Sequence, residues 1–175
     1  MNLYHFSEEA NIGLLEPQPP AGNPGGEPLI WGVAEDRASL YWFPRDCPRV
    51  AYRALPTTTP QDRALFLGHT VAERVIAVES AWLDRLREAR LYAYRLSPDG
   101  FRMVGMDGYF VTKQPVRPLD VQPVGDVLAR LRDAGVELRL TPSLWPLHDA
   151  LLDSTLQFAM LRMKNAAPRR EMVPA

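Results

Sequence analysis

The histidines and the cysteine, the side chains best suited to a soft metal site or to nucleophilic and acid–base work near neutral pH, are His5, His69, His148 and Cys47. Their separations match no ligand motif, because metal sites usually draw on pairs a few residues apart. No metal site is expected. Cys47 lies in FPRDCPRV between Arg45 and Arg49, and nearby positive charge can depress a thiol pKa. With no histidine close in sequence, a buried structural thiol is the stronger expectation. His5 sits in the middle of the alternating run LYHFSEE. It reads either as a ligand-binding histidine or as a half-buried strand ring held by its neighbours. YWFPRDCPRV sets Tyr41, Trp42 and Phe43 before a proline-bracketed basic corner. Such a stretch can stack on a base while arginines hold phosphate, or can simply be core beside a structural Arg–Asp pair. No G-x-G-x-x-G, P-loop, G-x-S-x-G or H-E-x-x-H motif occurs, which removes the commonest nucleotide, hydrolase and zinc-protease chemistries.

Composition narrows the classes further. The 175 residues carry 20 basic and 21 acidic side chains, a formal charge of −1, so no global field gathers nucleic acid or anionic lipid. Nucleic acid is not favoured as a partner. A single cysteine cannot close an internal disulfide, and the simplest compartment is a reducing cytoplasm. No signal peptide is visible at the start, and no apolar run approaches the length of a membrane span. The 17 prolines must collect in turns, edges and connections, because proline cannot donate to a ladder and breaks helix interiors.

These residues need a scaffold, and its elements can be read in order. A first strand at LYHFS is followed by Ser7 as an N-cap candidate with Glu8 and Glu9 in a first helical turn. EPQPPAGNPGGEP (16–28) reads as a long surface loop, either a lid or a floppy insertion. LIWGVA (29–34) is a buried strand. Asp36 is then a cap for RASLYWF, which ends at Pro44. VAYRAL (50–55) is a strand, and Thr59, Pro60 and Gly68 frame a helix as cap, first position and stop. RVIAVE (74–79) is a strand. Ser80 caps AWLDRLREA, with Trp82, Leu83 and Leu86 on one face. RLYAYRL, the SPDG turn and FRMVG predict a hairpin over 90–105. MDG (106–108) turns into YFVT, and QPVRPLDVQPV is restricted by its prolines to an edge. GDVLARLRDAG predicts a helix stopped by Gly135, with Val127, Leu128 and Leu131 inward. VELRL (136–140) is a strand, and SLWPLHDALLDS a helix after Ser143. STLQFAMLRMKNA fits a strand or a helix equally, and the last residues read as a loose tail.

LYHFSEE, LYWFPRDCPRVAY, LYAYRLSPDGF and STLQFAMLRMKNA together resemble a small bacterial family of unknown function over nearly the whole chain. A second, fainter likeness rests on a first-strand histidine, a strand carrying the small residue Gly32, and a helix presenting Ser39 and Tyr41. This order resembles the first two motifs of the histidine-tyrosine-glutamate class of ADP-ribosyltransferase folds. The resemblance implies that His5 contacts the ribose of NAD and that Ser39 and Tyr41 line the nicotinamide pocket. The third motif departs from the pattern: Gln157, in STLQF, is an amide that can hydrogen-bond but cannot act as a carboxylate. Glu79 is the acidic alternative, early in the chain for that role.

The expected architecture is one α+β domain over 1–166, with a twisted, largely antiparallel sheet or two such sheets and several short helices, ADP-ribosyltransferase-like, and a tail over 167–175. Two functions remain open. One is an enzyme or degenerate enzyme binding NAD or a related nucleotide through His5, Ser39 and Tyr41, with Gln157 or Glu79 in the catalytic position and NAD as substrate, no resident cofactor being required. The other is a non-catalytic protein-interaction or self-assembly module, a homo-oligomer included. The first needs His5 and Tyr41 to converge on one cleft.

Overall fold

A computed structural model describes residues 1–20, 23–105 and 108–169. The fold is α+β, with two mostly antiparallel sheets and short helices, as the strand and turn pattern predicts. Its Cα positions group into two compact units, each built from two chain segments: 1–43 with 89–125, and 44–88 with 126–175.

The first unit holds a six-stranded sheet. Its strands are β1 (Leu3–Ser7), β2 (Ile30–Ala34), β5 (Tyr92–Leu96), β6 (Arg102–Met103), β7 (Tyr109–Thr112) and β8 (Asp120–Pro123), in the order β6-β7-β2-β1-β5-β8. Every pairing in it is antiparallel. Leu3, Ile30, Tyr94 and Leu96 form one buried cluster of this unit with Leu15, while Val33 and Val111, and Leu40 of the chain after β2, are also buried. β8 is the proline-flanked edge strand that its sequence requires. A 3₁₀ helix spans Glu35–Tyr41.

Three local expectations fail here, the first two because distant segments take the groups or edges they need. No helix follows Ser7: its Oγ accepts from the Glu9 amide in a local turn. The buried Tyr94 hydroxyl donates to the Glu9 carbonyl and accepts from the Ile12 amide, so these backbone groups are committed before a helix can use them. The SPDG turn exists, with Gly100 at φ 76 and the Phe101 amide on the Pro98 carbonyl, but 90–105 is not a hairpin. β5 is flanked on both edges by β1 and β8, which leaves no edge for β6, and β6 pairs with β7 instead. Asp36 lies inside the 3₁₀ helix rather than capping it; Ala34 is the boundary residue. The proline-rich segment is tied at both ends by bridges from Leu15 to Val116 and from Gln18 to Leu29. Positions 21–22 of that loop, and 106–107 of the MDG turn, lie outside the described residues.

The second unit holds β3 (Arg49–Arg53), β4 (Arg74–Glu79), β9 (Val136–Thr141) and β10 (Gln157–Leu161) in the order β10-β3-β4-β9. The ambiguous late run is therefore a strand. β4 and β9 pair in parallel, as a crossover connection permits. Helix α1 (Pro60–Leu67) has Thr59 as its cap, the hydroxyl accepting from the Asp62 amide, and Gly68 at its end. α3 (Val127–Asp133) is capped by Asp126 and buries Val127 and Leu131. α2 (Leu83–Glu88) continues a 3₁₀ turn that starts at Ser80, and α4 (Trp145–Leu152) starts after Leu144. Val50, Tyr52, Val75 and Ala77 of one sheet face pack with Phe66 and Leu67 of α1, Leu144 just before α4, and Leu151 of α4.

Candidate functional site

Strand alternation decides where the predicted site residues go, since successive side chains leave a strand on opposite faces. In β1, Leu3, His5 and Ser7 share one face, opposite Leu96, Tyr94 and Tyr92 of β5. That is the core face. Tyr4 and Phe6 project from the other face. Tyr41, at the end of the 3₁₀ helix, stacks on Phe6 with ring centroids 6.4 Å apart and planes within 9°. His5 and Tyr41 therefore lie on opposite faces of β1. The His5 ring instead meets the Trp31 carbonyl through Nδ1, at 3.1 Å. Gly32 belongs to the core face as well: a Cβ there would stand 3.3 Å from Leu3 Cβ and from Phe101 Cε1. Close packing accounts for its small size.

The face that Tyr41 covers carries a group of half-exposed rings. Tyr4 and Phe6 stack at 6.3 Å, and Tyr109 meets Tyr41 edge-on at 6.4 Å. The registers put Trp31, Val33, Val111, Tyr109 and Arg102 on this face, with Arg95 beside Tyr4. Trp31 is 44% exposed, and Arg102 is exposed. Arg37 is buried behind the group, its guanidinium 5.7 Å from the Tyr109 ring centroid. Gly108, at φ 91, makes room for it, since a Cβ there would come within 2.8 Å of Arg37 Cγ. Arg95 is neutralised by Asp120 through Nε at 2.8 Å. Arg37 also pairs with Asp36 at 3.7 Å, so the exposed Arg102 is the guanidinium on this face that an anion could meet, and flat rings with a cation on one face suit a ligand that joins an aromatic ring to an anion.

Tyr4 and Phe6, the neighbours of His5, carry no motif of their own. The signal was present in the same five residues, because Tyr4 and Phe6 alternate with His5 and aromatics on one strand face form a platform. Ser39 is buried in the 3₁₀ helix.

The other two predicted residues belong to the second unit and lie on opposite faces of its sheet. Glu79 shares the α1/α4 face with Val75 and Ala77, whereas Gln157 shares the other with Arg53. Gln157 Oε1 accepts from Arg53 Nε at 2.6 Å. Glu79 is 4% exposed, and its carboxylate accepts backbone N–H groups from Leu144 at 3.4 Å and Ala167 at 3.0 and 3.1 Å. That is an anchoring role. No group of three or more potential metal ligands occurs among the described residues.

Cys47 is completely buried, its Sγ directed at the Pro48 carbonyl at 3.6 Å. Burial pushes its thiol up to about 12, against the opposing pull of Arg49 and Arg85. Two results follow. At pH 8 the folded chain resists alkylation by iodoacetamide and reacts fully in denaturant, a difference that mass spectrometry reads directly. Above its ordinary pKa of 9.0 the unfolded chain loses a proton that the folded chain keeps, so this group's contribution is present below that pH and lost as pH rises toward 12. Cys47→Ala should flatten the fall in unfolding free energy over that window, measured by urea titration.

The family model covering residues 4–166 is that of DUF6886, a family of unknown function. The chain belongs to this family. No curated protein and no solved structure matches the DUF6886 chain, so the resemblance to ADP-ribosyltransferase folds gains no relative in its support. No helix among the described residues is long and apolar enough to cross a membrane.

Proposed function

We propose that this DUF6886 protein is a binding protein for a small ligand that joins a flat aromatic ring to an anionic group, with NAD-like nucleotides as the ligand class. The ligand lies on the aromatic face of the first sheet. The observation that carries this reading is the meeting of Phe6 and Tyr41 as parallel rings from two separate elements, with Tyr109 edge-on and the exposed Trp31 and Arg102 on the same face. Base–aromatic stacking is worth about 1–3 kcal/mol per ring removed, enough for a binding site without a deep cleft. Group transfer is not part of the proposal, because His5 and Tyr41 occupy opposite faces. A free, buried thiol is compatible with a reducing bacterial cytoplasm.

Calorimetric titration with NAD, AMP and nicotinamide mononucleotide tests the reading. Saturable binding that weakens at least about tenfold in Tyr41→Ala, as loss of one stacking ring implies, is expected. Wild-type protein that binds none of the three contradicts it.

A second reading, self-assembly, has its own observation. β10 is an edge strand whose five residues, QFAML, contain no proline and no charge, and such edges are templates for pairing with another chain. A dimer by light scattering that Ala159→Lys or Met160→Lys dissolves would favour it.

A further inference from the structure

Residues 167–169 read in sequence as the start of a loose tail, yet four side-chain contacts fasten them to the second unit. Glu79, a buried carboxylate, takes the Ala167 amide. Trp145 Nε1 donates to the Ala167 carbonyl at 2.7 Å. Pro168 follows, and the Arg169 guanidinium then lies 4.2 Å over the Trp145 ring. The same guanidinium donates to both oxygens of Asp149, Nη1 at 2.6 Å and Nη2 at 2.9 Å. One turn of α4 thus presents an indole and a carboxylate at i and i+4, next to a buried acceptor at the end of β4. His148 braces the pair, Nδ1 on Asp149 Oδ1 at 2.8 Å and its ring edge-on to Trp145 at 5.1 Å.

Side chains that read both the amide and the carbonyl of one residue, and then clamp an arginine two positions later between a ring and a carboxylate, are doing what peptide-recognition sites do. We propose that Glu79, Trp145 and Asp149 form a peptide-binding notch for an extended small-residue–Pro–Arg segment, occupied in cis by this chain's own Ala167, Pro168 and Arg169. All three occupants are exposed, so the segment can leave without opening the core. The arginine clamp is a surface ion pair and weakens with salt, whereas the two backbone contacts do not depend on charge on the occupant. Release of the strap uncovers the same chemistry for a competing segment. This inference concerns the second unit and stands apart from the aromatic face of the first.

The test uses the full chain and a fluorescein-labelled, amidated peptide of residues 165–169, Asn-Ala-Ala-Pro-Arg, followed by anisotropy. Arg169→Ala, which loosens the cis segment, should bind the peptide about tenfold or more tighter than wild type. Adding Asp149→Asn should abolish that gain, and raising NaCl from about 50 to about 500 mM should weaken it. Equal, negligible binding by wild type and Arg169→Ala would overturn the proposal and leave the segment a fixed extension. Hydrogen exchange on the wild-type chain gives an independent reading if the variants fold poorly. The Ala167 amide should exchange through local opening, well before the amides of Val75 and Ala77; exchange only together with those core amides would also overturn it.

Discussion

Glu79→Ala is expected to lower unfolding free energy by about 3 kcal/mol, the scale of losing charge-assisted hydrogen bonds to a buried acceptor. The carboxylate stands at the end of β4 and receives the amides of Leu144, just before α4, and Ala167, beyond β10. Three chain segments far apart in sequence therefore converge on two oxygens. Removal leaves the Leu144 amide, on a fully buried residue, without its acceptor. Glu79→Gln keeps the shape but turns one acceptor into a donor, so it should cost roughly half as much on the same scale. Urea unfolding followed by circular dichroism measures both. An alanine variant as stable as wild type would mean that Glu79 is retained for something other than anchoring these segments.

Tyr52→Ala should be costlier still, about 3–5 kcal/mol by analogy with other buried aromatics truncated to alanine. Tyr52 is buried in the second core, edge-on to Phe66 at 6.1 Å. Its hydroxyl accepts from Arg139 Nη1 at 2.6 Å, and Arg139 Nη2 reaches the Phe66 carbonyl at 3.4 Å. Burial raises the Tyr52 pKa although Arg139 pulls it down. Hydrogen bonds from Thr70 and Arg139 hold the Glu137 carboxyl below its usual range. Tyr52→Phe keeps the ring and removes only the acceptor, so it isolates the hydroxyl at about 1–2 kcal/mol. A phenylalanine variant as damaging as the alanine one would place the energy in the polar network rather than in packing.

The strands and helices whose signals are local were legible. Thr59 with Pro60 and Gly68, the Val127/Leu131 stripe of α3, and the apolar run of β4 each specify their element from a few neighbouring residues. What failed depended on contacts distant in sequence. Ser7 and two glutamates look like a helix start, but Tyr94, more than eighty residues away, takes the backbone groups instead. The stretch 90–105 looks like a hairpin because its turn is well formed, but a turn does not decide which strands pair when β1 and β8 already hold both edges of β5. The site shows the same division. Tyr41 stood out in the sequence among the aromatics of its segment, and its partners Phe6 and Tyr109 follow only once the register of β1, β2 and β7 is known. His5 drew attention as a residue type, and the period of the strand sends it to the core side.

The most direct measurement is a parallel calorimetric titration of NAD into wild type, Tyr41→Ala, Phe6→Ala and His5→Ala, each verified to be folded. Binding by an aromatic face predicts that the first two variants lose affinity about tenfold or more while His5→Ala, on the other face, binds as wild type does. Absence of binding in wild type, or loss in His5→Ala equal to that in Tyr41→Ala, would contradict it.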